Sequence, residues 1–215
     1  MNVFALDKDP VTAARMMCDK HVVAMCRETS QLLTTCLHHY GFEAPITRSF
    51  DGAIRRLKPT HHNHCCNVWL RSSRANFEWL LTHFRELLSE KERRFGTKHQ
   101  YDLEDHASHY AIALERIQFP SAALTPFAQA MPEQYRGEDT IEGAVAAYRR
   151  YYIGEKSRFA AWRFGAPDWW PDVILSDGTL VYHKTMSDAR PNNQQVPKAP
   201  EDYRTGATEF IEVTF

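Results

Sequence analysis

A short segment near the N-terminus combines the side chains of an acid–base site. On a helix, His21, Glu28 and Gln31 fall on one stripe, because they lie seven and three residues apart. Lys20 and Arg27 lie on the adjacent stripe, also seven residues apart. A carboxylate beside a cation, partly shielded by apolar neighbours, suits a general base or a stabiliser of positive charge. The pattern predicts a catalytic carboxylate at Glu28 or, in the alternative interpretation, an ordinary solvated helix face.

This segment is predicted to lie on a long helical stretch. Helix signals begin at Asp9-Pro10, because Asp caps free amides and Pro suits the first helical position. Residues 11–39 favour helix and Gly41 ends it. Thr34-Thr35 weakens the middle, so one helix and two helices both stay open.

Further helices and a small amount of strand are predicted downstream. The helices run from Val68 or Ser72 to Arg94, from Leu103 to Ile117, and from Thr140 to about Trp162. Their apolar stripe is clearest in the first of these, with Phe77, Leu80, Leu81, Phe84, Leu87 and Leu88, and Gly96 follows its end.

The remaining segments predict loops and a small β tail. Residues 42–62 are expected to form an irregular connection, residues 173–182 carry a hairpin signal, and residues 210–213 are strand-like. The expected fold class is therefore mainly α, a compact helical bundle with a small β-hairpin-containing C-terminal tail. Residues 1–165 are predicted to form the helical domain, and residues 166–215 a tail packed on it.

Composition excludes some classes of protein. Lys and Arg total 26 and Asp and Glu total 27, a net charge of −1, so the chain does not bind nucleic acid by bulk charge, although a local basic face is compatible with this balance. Its apolar runs are too short to cross a bilayer. Five cysteines without a leader sequence favour free thiols in the cytoplasm over a disulfide framework.

Three segments follow one another in an informative order. Residues 19–28 are DKHVVAMCRE, residues 131–138 are MPEQYRGE, and residues 148–156 are YRRYYIGEK. The first is similar to the pattern Asp-x-His, two hydrophobic residues, Ala-x-x-Arg-Glu on the catalytic helix of the phage endonuclease V family, the pyrimidine-dimer DNA glycosylases. The other two resemble later segments of that family. The resemblance extends over roughly residues 1–160 and leaves the tail unmatched.

The resemblance implies a compact, all-helical enzyme that removes a damaged or modified pyrimidine flipped from DNA. In this family, a helix glutamate is essential to base excision and the arginine beside it binds substrate phosphate. Carried over to this chain, Glu28 is the catalytic carboxylate, Arg27 its phosphate-binding partner, and His21 lines the same groove. The helical domain, residues 1–165, is then the DNA-binding catalytic domain.

The N-terminus departs from the family pattern. Family members attack the sugar with the α-amine of an N-terminal Thr, whereas Asn2 follows Met1 here and Met is generally retained before Asn. About five extra residues also precede the helix. The nucleophile stays open among the Met1 amine, brought in by a rearranged loop, the Lys20 amine, and water activated by Glu28. Gln31 replaces a basic DNA contact of the family, so specificity for a dimer is not implied.

Two predicted helices mix cations with aromatic rings, which suits phosphate contacts and base stacking. The alternative is that the tyrosines pack inward and the arginines are merely solvated. Together with Lys20 and Gln31, the candidate nucleic-acid-binding residues are Arg71, Arg74, Arg149, Tyr151, Tyr152 and Lys156.

Residues 61–66, HHNHCC, are rich in metal-ligand types. Their spacing is not that of a paired zinc finger, and adjacent side chains rarely converge on one ion. No metal or cofactor is therefore assigned. A zinc site using His64 with Cys65 or Cys66 stays an alternative to polar loop residues with buried thiols.

Three functions stay open at this point. The first is a DNA glycosylase, with or without cleavage of the strand at the abasic site. The second is a phage DNA-hypermodification transferase that adds an amine or amino acid to an activated pyrimidine, and the third is a non-catalytic DNA-binding module. All three imply DNA as the partner. We further expect a monomer that does not bind a membrane and lies in the cytoplasm, that of the host cell if the chain is phage-encoded.

Overall fold

The computed structural model describes residues 1–48 and 51–171, and the backbone of residues 173–174 and 180–181. Within these residues the chain forms seven α-helices and two short antiparallel pairs of strands. The expectation of a mainly α fold is confirmed. None of the helices in these residues combines the length and the apolarity needed to span a bilayer.

The first predicted helical stretch forms two helices, α1 (Pro10–Met16) and α2 (Asp19–His39). The break lies at Met17–Cys18 and not at Thr34–Thr35, because the backbone of Met17 and Cys18 is extended and the Cys18 amide donates to the Tyr152 hydroxyl. The two threonine hydroxyls are buried and hydrogen-bonded, so they do not interrupt α2. The start of α2, the helix that carries His21 and Glu28, is therefore marked by the hydrogen bond between Cys18 and the distant Tyr152.

The second predicted helix is also divided, into α3 (Cys65–Ser72) and α4 (Arg74–Phe95). Ser73 separates them in an extended conformation, and its hydroxyl donates to the Ala123 carbonyl. Gly96 follows α4 with a φ of 70°, the left-handed conformation typical of a glycine at a helix C-terminus. The predicted apolar stripe is buried, namely Phe77, Leu80, Leu81, Phe84, Leu87 and Leu88.

The segment predicted to be irregular, residues 42–62, contains the antiparallel strands β1 (Ile46–Arg48) and β2 (Ile54–Arg56), with Ile46 opposite Arg56. The prediction is wrong for these residues. Strands of three residues are too short to give a clear alternating pattern of apolar and polar side chains.

The third predicted helix, residues 103–117, is replaced by α5 (Gln100–Leu103) and α6 (His106–Leu114). Asp105 adopts a φ of 53° between them, which interrupts the helical path.

The fourth predicted helix is α7 (Ile141–Lys156), which begins one residue after the predicted start at Thr140. The Thr140 side chain accepts from the Gly143 amide. α7 ends six residues before the predicted Trp162.

The predicted C-terminal hairpin is present as β3 (Val173–Ile174), paired antiparallel with β4 (Leu180–Val181). Residues 210–213, predicted to be strand-like, lie outside the described residues. The division into residues 1–165 and 166–215 stays a prediction.

The core is organised around α4, which packs against α1, α2, α3 and α6. The N-terminal segment, defined here as residues 2–6, is also part of this interior, since each of its residues is 8% exposed or less. The start of the chain is therefore held inside the fold next to α2.

A buried ion pair joins α4 to the junction between α1 and α2. Arg94 and Glu90, 3% and 2% exposed at their side chains, approach to 2.7 Å. Arg94 also donates to the carbonyls of Arg15 and Met17, at 2.7 and 2.8 Å, and pairs with Asp19 at 3.0 Å. Because these partners lie where α1 ends and α2 begins, Arg94 fixes the direction in which α2 leaves α1.

Replacing Arg94 by Leu is expected to lower the free energy of unfolding by about 3 kcal/mol, because Glu90 would keep only the half-exposed Arg93 as its partner and the carbonyls of Arg15 and Met17 would lose their buried donor. Urea denaturation measures this change. Arg93→Gln is the matched control, since Arg93 also pairs with Glu90, is half-exposed, and is expected to contribute less than about 1 kcal/mol. Equal losses in the two variants would contradict a special role for Arg94.

Candidate active site

The N-terminal amine lies beside the predicted catalytic carboxylate. The Met1 nitrogen is 3.8 Å from Glu28 Oε2, and the Asn2 amide donates to the same oxygen at 3.1 Å. Of the nucleophiles that the sequence left open, the structure brings the Met1 amine to Glu28 despite the extra residues before α2. An amine and a carboxylate at this separation can exchange a proton after a small movement.

Asn2 anchors this chain end. Its side-chain nitrogen donates to the Ala130 carbonyl at 2.8 Å, and its side-chain oxygen accepts from the amides of Val3 at 2.8 Å and Phe4 at 3.3 Å. Phe4 has a φ of 49°, in the left-handed region, which is unfavourable for residues other than glycine. The bonds made by the Asn2 side chain therefore hold a tight, locally strained turn directly after the amine.

A second anchor follows four residues later. Arg149 on α7 donates through Nε to the Leu6 carbonyl at 2.8 Å and pairs with Asp7 at 3.0 Å. Its guanidinium also lies 5.5 Å from the centre of the Trp169 ring. Arg149, predicted to contact DNA, thus has its guanidinium engaged in holding the N-terminal segment.

Glu28 is accessible from solvent as well as bonded to the N-terminus. Its side chain is 36% exposed, and its helix neighbour Thr29 is fully buried. A shallow cleft near the C-terminal end of α2, whose walls include His38, Phe42 and Arg56, is not lined by Glu28. The exposed part of the Glu28 carboxylate can be reached from solvent, including by a flipped nucleotide.

His21 belongs to an aromatic cluster and is not in contact with Glu28. Its ring stacks on Phe4 at 4.7 Å and meets Tyr152 and Phe159 edge-on at 5.1 and 5.4 Å. Burial, reinforced by the charge of Lys156, lowers the pKa of His21 to about 4. His21 is thus neutral at pH 7, and its Nδ1 is buried without a hydrogen-bond partner among the described residues.

The cations of α2 are exposed. Arg27 forms no ion pair within the described part of the chain, and its charge acts on His99 and Tyr101. Lys20 lies 4.5 Å above the ring of Phe159. Gln31 is half-buried, one turn beyond Glu28. A substrate phosphate could therefore reach Arg27 from solvent without breaking an internal ion pair.

Two further candidate DNA contacts, Arg74 and Arg71, make bonds within the protein. Arg74 pairs with Glu78 and Glu115 and donates to the Leu114 carbonyl. Arg71 donates to the His62 carbonyl at 2.6 Å. Both arginines contribute to the fold around α3 and α4.

The α7 aromatics divide into an inner and an outer tyrosine. Tyr152 is fully buried and its hydroxyl contacts Cys18, so it packs inward as the alternative interpretation expected. Tyr151 is half-buried, stacks on Phe4 at 6.2 Å, and accepts from Lys156 at 3.2 Å. Tyr151 and Lys156 are both half-buried and lie beside Phe4 of the N-terminal segment.

A pair of thiols at the start of α3 adjoins the same region. A hydrogen bond to Cys65 and burial raise the pKa of Cys66. The Val3 amide and the N-terminal amine act in the opposite direction and lower it. The same hydrogen bond lowers the pKa of the exposed Cys65 thiol to about 6. Sequence reasoning did not connect these thiols to Glu28, because the neighbourhood forms only when the N-terminus folds back.

Sequence reasoning also missed the anchoring role of Asn2. Asn2 was noted only as a departure from Thr, and its bond to Ala130 spans 128 residues. Asn is common in tight turns, where its side-chain oxygen accepts hydrogen bonds from nearby backbone amides. This preference was the one local sequence signal for the turn at Asn2.

Comparison with known proteins identifies one family over the first half of the chain. The model of the family described as pyrimidine dimer DNA glycosylase matches residues 1–105, which is 49% of the chain and includes Asn2, Arg27 and Glu28. The match ends before the other two resembling segments, residues 131–138 and 148–156. No curated protein and no solved structure matches the chain.

The neutral, buried His21 makes stability depend on pH. Its pKa is about 4 in the fold and 6.5 as a model value, so the unfolded chain binds the proton more readily and stability falls as pH drops below 6.5. We expect His21 alone to lower the free energy of unfolding by about 2 kcal/mol between pH 7 and pH 5. Urea denaturation of the wild type and of His21→Phe at both pH values measures this term. The same loss in both proteins would contradict it.

Proposed function

Because the chain is a distant relative of the phage endonuclease V, or pyrimidine dimer DNA glycosylase, family, we propose that it excises a damaged or modified pyrimidine from DNA. In this proposal the N-terminal amine is the nucleophile and Glu28 the carboxylate that serves it. The observation that carries the proposal is the 3.8 Å separation between the Met1 nitrogen and Glu28 Oε2.

An α-amine suits this chemistry because its neutral form is a nucleophile that can bond to the sugar carbon and go on to a Schiff base. The neutral nitrogen attacks C1′ of the sugar, the bond to the base breaks, and the electron pair leaves with the base, which takes up a proton. As an ionised carboxylate, Glu28 first stabilises the positive charge that develops on the sugar, and it then accepts the proton that the amine loses. Ring opening then leaves a Schiff base between C1′ and the amine, from which the 3′ phosphate can be eliminated.

The proposed chemistry holds whether or not Met1 is retained. With Met1 present, its amine is the nucleophile. If Met1 is removed, the nitrogen of Asn2 becomes the terminal amine, and this nitrogen lies 3.1 Å from Glu28 Oε2. Both forms present an amine to the same carboxylate.

The surroundings of Glu28 support an open, DNA-facing site. An enzyme cannot reach the sugar–base bond of a base stacked inside a duplex, so the nucleotide must be flipped out. The Glu28 carboxylate is partly exposed and is therefore accessible to a flipped nucleotide. We assign phosphate contacts to the exposed Arg27 and Lys20, and to Lys156 on α7, with Tyr151 and Gln31 beside them. Arg71, Arg74, Arg149 and Tyr152 we assign to holding the fold around this surface, on the basis of their internal bonds.

The amine route is tested by trapping. Protein with a free N-terminus, incubated with ultraviolet-damaged duplex and sodium borohydride, is expected to form a covalent protein–DNA adduct. Glu28→Gln is expected to reduce adduct formation by about 100-fold or more, because proton transfer is lost. Gln can still accept from the Asn2 amide, so the fold is kept. Glu142→Gln, an exposed carboxylate on α7, is the matched control and is expected to react like the wild type.

The other outcomes separate the alternatives. Release of free base without an adduct would indicate water as the nucleophile. Neither product, together with a mass gain on hydroxymethylated or pyrophosphorylated DNA, would support the transferase. DNA binding that persists with no product of any kind would support a non-catalytic module.

The anchoring of the amine by Asn2 gives a second prediction. Asn2→Leu keeps the side-chain volume but removes the bonds to Ala130, Val3 and Phe4. We expect adduct formation per folded molecule to fall at least about tenfold, because displacing a reacting group by about 1 Å can slow a reaction by up to about 100-fold.

Thr34→Val is the control for Asn2→Leu. It removes a buried hydrogen bond to Tyr110 that does not involve the N-terminal segment. Both variants are expected to lose about 1–3 kcal/mol of stability, but only Asn2→Leu is expected to slow trapping. Equal trapping rates in the two variants would contradict the anchoring role.

A further inference from the structure

Three soft metal-ligand side chains meet at the start of α3. His64 caps the helix, Cys65 begins it and Cys66 follows. One ligand atom from each residue lies within 4.8 Å of the other two. The sequence alone disfavoured this convergence because the three residues are consecutive, and the backbone at the helix start is what turns their side chains together.

The spacing of these atoms suits one ion. A tetrahedral Zn²⁺ ion, with Zn–S near 2.3 Å and Zn–N near 2.0 Å, requires donor atoms about 3.5–3.8 Å apart. His64 Nδ1 lies 3.9 Å from Cys65 Sγ, so small side-chain rotations complete the set. His64 Nδ1 also accepts from the Cys66 amide at 3.2 Å, a weak cap bond that the metal would replace.

We propose that His64, Cys65 and Cys66 form a Zn²⁺ site with three protein ligands and a fourth position open to solvent. Thiolate and imidazole donors favour Zn²⁺ over Mg²⁺ or Ca²⁺, which prefer oxygen. Cys65 is exposed and Cys66 is fully buried, so the ion has an entry path on one side and a dry wall on the other.

Charge and protons balance at this site. Both sulfurs bind the ion as thiolates, so a thiol that is still protonated releases its proton to solvent, and the two negative charges neutralise the ion. The free amides at the start of α3 favour negative charge at this place. The site adjoins the N-terminal segment, since the Val3 amide and the N-terminal amine both act on Cys66. The proposal concerns metal binding and does not depend on glycosylase activity.

The test is a titration of the metal-free, reduced full-length protein with Co²⁺ and then with competing Zn²⁺. We expect one equivalent of Co²⁺ to bind, with a thiolate-to-cobalt charge-transfer band that Zn²⁺ abolishes. Zn²⁺ is also expected to raise the melting temperature of the protein.

Two variants test the ligands, and a third is their control. Cys65→Ser is an exposed change that leaves the core intact, and His64→Asn keeps a good helix cap while removing the imidazole. Each is expected to weaken Zn²⁺ binding at least about tenfold. Cys26→Ala, which removes a buried thiol on α2 outside the cluster, is expected to bind like the wild type. Absence of the charge-transfer band in the wild type, or a band unchanged by both Cys65→Ser and His64→Asn, would overturn the proposal.

Discussion

The contact between the N-terminal amine and Glu28 is the interaction on which the proposed chemistry depends. Chain ends usually fray, so an amine can be a defined reactant only if the residues behind it are tied down. Here residues 2–6 are buried. The Asn2 side chain holds the first residue of this segment, and Arg149 on α7 holds the last one through the Leu6 carbonyl. The left-handed Phe4 costs about 1–2 kcal/mol, and burial of its ring in the aromatic cluster offsets that cost.

The body of the fold serves this contact by fixing α2. The buried Arg94 bonds the end of α1 to the start of α2, and Tyr152 bonds the Cys18 amide at the break. Glu28 lies more than two turns further along the same helix, between a buried neighbour and an exposed one. The position of the carboxylate thus follows from polar bonds at the helix start together with the apolar packing of α2 against α4.

Periodicity was enough to predict the local part of the site. The helical spacing of His21, Glu28 and Gln31 and the apolar stripe of α4 are properties of neighbouring residues, and the structure has helices at both places. The break at Met17–Cys18 was not predictable in this way, because its hydrogen-bond partner Tyr152 lies on α7. The short strands β1 and β2 also carry too few residues for a pattern.

Contacts between distant residues account for the rest. The return of Met1 to Glu28 depends on Ala130, which no local pattern links to Asn2. In the sequence, the charge of Arg149 and its aromatic neighbours suit a DNA contact. In the fold, its guanidinium bonds to Leu6 and Asp7. Charge and aromatic content thus identify residues that could bind DNA, while only the fold shows which of them are already engaged.

The most direct measurement is tandem mass spectrometry of the borohydride-reduced protein–DNA adduct, after digestion of both components, to locate the modified nitrogen. We expect the sugar remnant on the α-nitrogen of Met1, or of Asn2 if Met1 has been removed. Attachment to the side chain of Lys20 or Lys156 instead would contradict the proposed role of the N-terminal amine.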